Sequence, residues 1–311
     1  MTQEIMSISE SVYLFDTKAF GMSSFTSVYL VIGKEKVLIE TGPTTSSLQV
    51  LNGLKKLAID PKEITHLILT HIHLDHGGGA GTLLQVMPNA KVIVHENGMR
   101  HLVDPSKLVN SSRRVFGDLI DKWYGKVVPI EENRILPVKG GEILDIGDGH
   151  RLEMINSPGH SFHHICIYLE KIKGLFTGDA AGVFFHESEA LIPTTPPPEF
   201  DPKINIETIK GFINKDIDSL LFSHFGEAKN VENTLNKSIK YLIKWDKLVF
   251  SMMDAGKSTQ DIIERLRQDA KKELGSIEKR GPVYKWTMDY HIPMCAHGYL
   301  HYLKKRNSLV L

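Results

Sequence analysis

The stretch Thr70-His71-Ile72-His73-Leu74-Asp75-His76-Gly77-Gly78-Gly79 is the part of the sequence that most constrains the fold. It follows His66-Leu67-Ile68-Leu69, a short and mostly apolar segment that predicts a buried strand. The residues from Ala80 to Val86 then show a helical pattern. The three glycines allow the backbone to turn tightly between the two elements. The sequence therefore predicts a strand-to-helix turn that carries three histidines and one aspartate.

This turn has the composition of a metal site. Side chains two residues apart in an extended chain point the same way, so His71 and His73 can bind one ion as neighbours. Asp75 and His76 follow where the chain bends, and they can face a second ion. Imidazole and carboxylate ligands suit Zn, and imidazole also suits Fe. A polar turn that is merely rich in histidine is the alternative, which four ligand-type residues within six positions disfavour.

The composition is that of an ordinary globular protein. Of the 311 residues, 41% are apolar and 24% are charged. Lys and Arg number 37, as do Asp and Glu, so the zero net charge gives no support for a nucleic-acid or anionic-membrane partner. The two cysteines, Cys166 and Cys295, do not form a disulfide framework and favour a reducing compartment. With no secretory pattern in Met1–Phe15 and no membrane-length apolar run, we expect a cytoplasmic protein.

Three further polar turns each follow a short apolar strand pattern. They contain Ser157-Pro158-Gly159-His160, Thr177-Gly178-Asp179 and Ser223-His224. Strand ends can meet at one edge of a sheet, so these turns can lie beside the first motif. After Glu227 the strand patterns largely stop, and long helical patterns run over 230–255 and 259–274. We therefore place one domain at residues 1–228 and a helical C-terminal region at 229–311.

In this order, the four motifs resemble the metallo-β-lactamase superfamily, and the resemblance covers about residues 10 to 230. It implies an α/β fold, a four-layer αβ/βα sandwich with a two-metal site at one edge of the sheets. By this resemblance, the first ion would be bound by His71, His73 and His160. The second ion would be bound by Asp75, His76 and His224, and Asp179 would bridge the two.

One residue departs from the family pattern. The early hairpin usually ends in Asp-Thr-Gly or Asp-Gly-Gly, whereas this chain has Glu40-Thr41-Gly42. The resemblance implies that this carboxylate supports the ligands and does not bind metal. The metal site should therefore survive, but the longer side chain must make different hydrogen bonds.

Within the superfamily, His73 argues against the flavodiiron branch, which typically has Glu at that position. Glyoxalase II is a more distant likeness that shares the C-terminal helices, but 180–183 offers no cation for a glutathione carboxylate. The segment 178–182, the proline loop 194–201 and the tail 298–303 look most like an uncharacterised prokaryotic hydrolase group. This likeness indicates a branch of the superfamily but does not indicate a substrate.

The function that we expect is dinuclear metal-dependent hydrolysis, in which a metal-bound hydroxide attacks an ester, lactone or thioester. Asp75 and Asp179 would also handle protons. Two divalent ions are implied, with Zn favoured and Fe or Mn as alternatives. The expected partner is a small-molecule substrate, with a homodimer contact or pocket closure as the role of the C-terminal helices. The rival functions are a mononuclear iron sulfur or persulfide dioxygenase, and a non-catalytic binding protein with a vestigial site.

Other residues have supporting roles by their sequence context. We expect His163 and His164 to support the ligands, and Cys166 and Trp245 to lie in the core. An apolar pocket wall is expected from Phe184, Phe185, Pro196, Pro197 and Phe200.

Purified without chelators, the protein should contain about two metal ions per chain, because seven ligand-type residues occupy motif positions. Elemental analysis measures this directly. At most one equivalent, even after Zn or Mn is added back, would contradict the two-metal prediction.

Overall fold

The computed structural model describes residues 4–275 and 281–308. Seven strands form the first sheet, and their order in the sheet is their order in the chain. The first three pairings are antiparallel and the last three are parallel. These strands are β1 (Ile5–Ser7), β2 (Val12–Asp16), β3 (Ser27–Ile32), β4 (Lys36–Ile39), β5 (Ile64–Ile68), β6 (Lys91–His95) and β7 (Ile135–Val138).

Six further strands form the second sheet, which is antiparallel except for one parallel pair. In chain order they are β8 (Ile143–Asp145), β9 (Arg151–Asn156), β10 (Ile165–Leu169), β11 (Gly174–Gly178), β14 (Ser219–Phe222) and β15 (Gly226–Ala228). Their order across the sheet is β15-β14-β11-β10-β9-β8. A separate small hairpin pairs β12 (Val183–Phe185) with β13 (Ala190–Ile192).

The two sheets pack face to face, because their strands are apolar on both sides. Successive side chains of a strand point to opposite faces. In β3, Tyr29 and Val31 face the core between the sheets, whereas Val28 and Leu30 face the helices outside the first sheet. Phe176 of the second sheet packs edge-on against Tyr29, with ring centroids 5.0 Å apart. This alternation produces one apolar core between the two sheets and another between the first sheet and its outer helices.

Helices cover both outer faces. Those of the first half are α1 (Ser47–Lys56), α2 (Leu74–Gly77), α3 (Ala80–Leu84), α4 (Glu96–Val103), α5 (Ser106–Phe116) and α6 (Leu119–Trp123). Those of the second half are α7 (Pro202–Ile213), α8 (Val231–Asp254), α9 (Thr259–Leu274), α10 (Pro282–Trp286) and α11 (Ile292–Ser308). The result is the four-layer αβ/βα sandwich that the sequence predicts.

The C-terminal helices share a core with the second sheet. Trp245 of α8, Leu266 of α9 and Tyr299 of α11 are fully buried. They belong to one apolar cluster with Leu220 and Phe222 of β14. This cluster therefore contains residues from both sides of position 228. None of the helices in the described residues has the length and apolar character needed to cross a membrane.

The structure has more helix than the sequence pattern indicates. The sequence of 98–124 is broken and polar and predicts only short helical pieces such as 116–123. This segment lies almost entirely in α4, α5 and α6, and Gly117, which has a left-handed backbone (φ 58°), ends α5 within the predicted piece. The sequence also predicts a third C-terminal helix over 297–305. The helix is present, but it begins earlier, at Ile292, and follows a π-helical turn over Thr287–His291.

Replacing Trp245 with alanine should lower the free energy of unfolding by about 3–5 kcal/mol, because a fully buried ring leaves a cavity. The variant would also lose the hydrogen bond that the indole Nε1 donates to the buried Asp269 carboxylate at 2.9 Å. Ile243→Ala on the same helix is the control, since Ile243 is 39% exposed and should change stability by no more than about 0.5 kcal/mol. Denaturant unfolding measures both, and equal losses would contradict the placement of this helix in the core.

Candidate metal centre

Four loops converge at one edge of the sandwich. His71, His73, Asp75 and His76 follow β5, and the last two lie in the short helix α2. The loop after β9 carries His160, and the turns after β11 and β14 carry Asp179 and His224. The structure thus brings all seven predicted residues together.

The first cluster consists of three imidazoles and one carboxylate oxygen. Nε2 of His71 lies 2.8 Å from Nδ1 of His73, which lies 3.1 Å from Nε2 of His160. The Oδ2 atom of Asp179 is 3.4 Å from Nε2 of His160. One nitrogen of each ring therefore faces a common point, as expected for the ligands of one ion.

The second cluster lies on the other side of Asp179. His224 Nε2 is 3.5 Å from Oδ2 of Asp75, and His76 Nε2 is 4.0 Å from the same oxygen. The Oδ1 atom of Asp179 is 3.4 Å from His76 Nε2 and 3.6 Å from His224 Nε2. Asp179 therefore presents one oxygen to each cluster, which is the geometry of a bridging carboxylate.

The outer ring nitrogens fix which way the lone pairs point. His160 Nδ1 donates to the Thr194 carbonyl, and His224 Nδ1 donates to the Phe25 carbonyl, both at 3.0 Å. A carbonyl oxygen can only accept, so these rings carry their proton on Nδ1. Their Nε2 lone pairs then face the clusters, as metal binding requires.

Glu40 has the supporting role that its position in the sequence implies. Its Oε1 accepts hydrogen bonds from Thr70, from Ser223 at 2.9 Å and from His76 Nδ1 at 3.1 Å. The Thr70 hydroxyl is in turn 2.9 Å from Nδ1 of His71. Glu40 is 1% exposed, and its backbone is left-handed (φ 69°). One carboxylate thus orients the rings of His71 and His76 and connects the first and last motifs.

Burial and neighbouring charges set the protonation states of the clustered side chains, and these states favour cation binding. Burial lowers the pKa of His71 well below its usual value and that of His73 to about 3, so both rings stay neutral. Burial raises the pKa of Asp75, but His76 and His224 outweigh it and hold the pKa at about 2. Burial lowers the pKa of His76, whereas Asp179, Glu40 and Asp75 raise it well above the usual range. A metal ion bound there would displace the His76 proton.

The donor set fits divalent metal ions. His76 Nε2 and Asp179 Oδ1 are buried and have no hydrogen-bond partner among the described residues. Such buried polar atoms are costly unless something pairs with them. Imidazole nitrogen and carboxylate oxygen are ligands that Zn, Fe and Mn accept. The seven residues therefore supply two compact groups of potential ligands, one of His71, His73, His160 and Asp179 and one of Asp75, His76 and His224. The Oδ1 atom of Asp179 also lies within 3.6 Å of the second group. Glu40 forms a further group of this kind with His71 and His76.

The supporting histidines lie where the sequence suggests. His164 Nε2 accepts from the Asp179 backbone N–H at 3.1 Å, and this contact fixes the bridging turn. His163 Nε2 lies 3.3 Å from the Glu199 carboxylate and packs beside His71 and His73. Glu199 was not singled out from the sequence. Burial raises its pKa to about 7. Cys166 is fully buried, as predicted.

The predicted pocket wall was wrong for two of its residues. Phe184 stacks on Phe222, and Phe200 packs edge-on against Tyr299, so both belong to the core. Other aromatic rings lie beside the second cluster. Phe25 is 5.3 Å from the His224 ring, and Trp286 packs edge-on against Phe25 at 4.6 Å. Sequence reasoning missed these contacts because Phe25 and Trp286 are far apart in the chain.

The family model described as the metallo-beta-lactamase superfamily matches residues 23–224. The chain belongs to the metallo-β-lactamase superfamily. The superfamily has a hydrolase-type fold, and the seven clustered residues lie within or at the end of the matched region.

Two relatives show how far the similarity extends in sequence. The metallo-beta-lactamase fold-containing protein ST1585 of Sulfurisphaera tokodaii is 32% identical over 203 residues, which are 64% of this chain and 72% of that protein. The atrochrysone carboxyl ACP thioesterase of Aspergillus fumigatus is 29% identical over 167 residues. The matched part is 53% of this chain but only 31% of the thioesterase.

Solved structures extend the likeness to the C-terminal helices. The crystal structure of ST1585 from Sulfolobus tokodaii matches with a TM-score of 0.70 and 26% identity, over 94% of this chain and 99% of that one. The subclass B3 metallo-beta-lactamase MEM-A1 matches with a TM-score of 0.57 and 18% identity, over 78% of this chain and 95% of that one. The second likeness is one of fold alone.

Asp179→Asn should weaken metal binding more than Glu40→Asp. The first change removes a charge shared by both clusters, whereas the second shortens a supporting side chain, a loss that typically costs about 10- to 100-fold in affinity. Titration of both variants with Zn against a competing chelator measures the difference. Asp216→Asn, at a 73% exposed side chain, is the control and should bind like the unmodified chain. Equal losses in the two test variants would place Glu40 among the metal ligands.

Proposed function

We propose that this chain is a two-metal hydrolase of small esters, lactones or thioesters. The observation that carries the proposal is the position of Asp179 between the two clusters. Its Oδ2 lies 3.4 Å from His160 Nε2 in the first cluster, and its Oδ1 lies 3.4 Å from His76 Nε2 in the second. A single-iron dioxygenase would leave the second cluster of Asp75, His76 and His224 without a role. A vestigial site would not require two complete sets of inward-facing ligand atoms.

The proposed ligands are those that the sequence motifs predict. One ion would be held by His71, His73, His160 and Asp179, and the other by Asp75, His76, His224 and Asp179. Two divalent ions at these positions would lower the pKa of a shared water and polarise the substrate carbonyl oxygen. Zn is the metal that we favour, and Fe and Mn suit the same donors.

Asp75 and Asp179 have different surroundings, and we assign them different roles. The side chain of Asp179 is 5% exposed, and each of its oxygens faces a cluster. The side chain of Asp75 is 18% exposed, and it contacts the cluster through Oδ2. Its Oδ1 is therefore the atom that can take a proton from the attacking water and return it to the leaving group. Asp179 would bind both ions and keep them close together.

The surroundings favour an uncharged acyl substrate. The four ligand turns contain no Lys or Arg, the residues that commonly bind phosphate groups. The buried rings of Phe25 and Trp286 make the side of the site next to His224 apolar and uncharged. The similarity to a thioesterase supports including thioesters in the substrate class.

The metal-loaded protein should hydrolyse small aryl esters, lactones or thioesters faster than phosphodiesters. A panel of chromogenic substrates measures the rates. His76→Ala should abolish the activity, because it removes a nitrogen of the second cluster. His301→Ala, at an exposed position on α11, is the matched control and should leave the rates unchanged.

Phosphodiesterase activity well above every acyl-substrate activity, and lost in His76→Ala, would overturn the substrate class. Acyl hydrolysis that persists in His76→Ala and in the presence of chelators would overturn the two-metal proposal itself.

A further inference from the structure

The small hairpin of β12 and β13 contacts three of the segments that carry the proposed ligands. The Gly182 N–H, just before the hairpin, donates to the Asp179 carbonyl at 3.1 Å. Within the hairpin, the Phe184 N–H donates to the His224 carbonyl at 2.5 Å. Thr194, which follows β13, accepts the Nδ1–H of His160 at 3.0 Å. The hairpin and the residues on either side of it are therefore hydrogen-bonded to the segments that contain Asp179, His224 and His160.

The C-terminal region holds the segment that follows β13. His291 Nε2 donates to the Pro193 carbonyl at 2.9 Å, and the Cys295 thiol donates to the same oxygen at 3.3 Å. The Thr195 hydroxyl donates to the Cys295 carbonyl at 3.2 Å. Thr194 lies between these two anchored residues, so its carbonyl is fixed from both sides. That carbonyl is the acceptor that orients His160.

A glycine on α11 makes this contact possible. A Cβ atom added to Gly298 would lie 1.7 Å from the Thr195 carbonyl oxygen, which is far inside any contact that real Cβ atoms make. The helix can therefore approach the loop only without a side chain here. Gly211 on α7 is different, because a Cβ atom there would have nothing within 4 Å.

We infer that α11 and the π-helical turn before it position the His160 imidazole. Gly298 and His291 fix Pro193–Thr195, and the Thr194 carbonyl then fixes the ring through Nδ1. Partners of this kind orient metal-binding histidines, and their loss typically costs about 10- to 100-fold in affinity. The inference rests on the proposed function only in treating His160 as a metal ligand.

The first test compares Gly298→Ala with Gly211→Ala. Two properties are measured: the ¹⁵N signals of the His160 ring in metal-free protein, and the affinity for Zn by competition with a chelator. In Gly298→Ala we expect shifted His160 signals and an affinity loss of about 10- to 100-fold. Gly211→Ala should match the unmodified chain in both. A folded Gly298→Ala with unchanged His160 signals would overturn the inference.

The second test uses His291, so that the result does not depend on whether Gly298→Ala folds. His291→Leu removes the donor to Pro193, whereas His291→Gln keeps an N–H group that can reach the same oxygen. We expect the leucine variant to shift the His160 signals and to lose affinity, and the glutamine variant to restore both. Unchanged His160 signals in His291→Leu would refute the positioning role. An unmodified chain that binds no metal would contradict the proposed function, while the His160 signals would still decide this inference.

Discussion

The rest of the structure depends on the buried carboxylate of Asp179. Removing a carboxylate from water is costly, and burial alone would raise its pKa. The imidazoles of His76, His224 and His160 outweigh burial and hold the pKa well below its usual value. The loop after β5 and the loops after β9 and β14 must therefore meet at one point. Two sheets packed face to face allow this, because the carboxyl ends of several strands lie at the same edge.

The rings around Asp179 are aimed by groups that lie outside the two clusters. His160 and His224 are held by backbone carbonyls, so their orientation depends on loop positions and not on further side chains. His76 is held by Glu40, which also joins Ser223 and Thr70. The left-handed backbone of Glu40 costs on the order of 1–3 kcal/mol, a strain that persists only where the surroundings require it. All of these hydrogen bonds are made by Oε1 of Glu40, whereas its Oε2 is buried and has no hydrogen-bond partner among the described residues.

The sequence predicted most of the centre because its signals are local. Each of the four motifs comes within a few residues of the end of a strand, and the strand pattern and the polar turn can both be seen within about ten residues of sequence. The hairpin of β12 and β13 is different, since each strand has only three residues and β13 packs against α8 and α9. Phe184 was expected in an apolar pocket wall, but tertiary packing stacks it on Phe222 in the core. The role of Gly298 depends on a contact about a hundred residues away, which no local pattern encodes.

The change in secondary structure near residue 228 does not separate two independent cores. The Ser238 hydroxyl on α8 donates at 2.9 Å to the carbonyl of Ala181, two residues after Asp179. Trp245 and Leu220 belong to one apolar cluster although they lie on opposite sides of that position. The π-helical turn and α11 likewise hold Pro193, next to the Thr194 carbonyl that accepts from His160. The C-terminal helices therefore contribute to the positions of Asp179 and His160, although they carry none of the seven clustered residues.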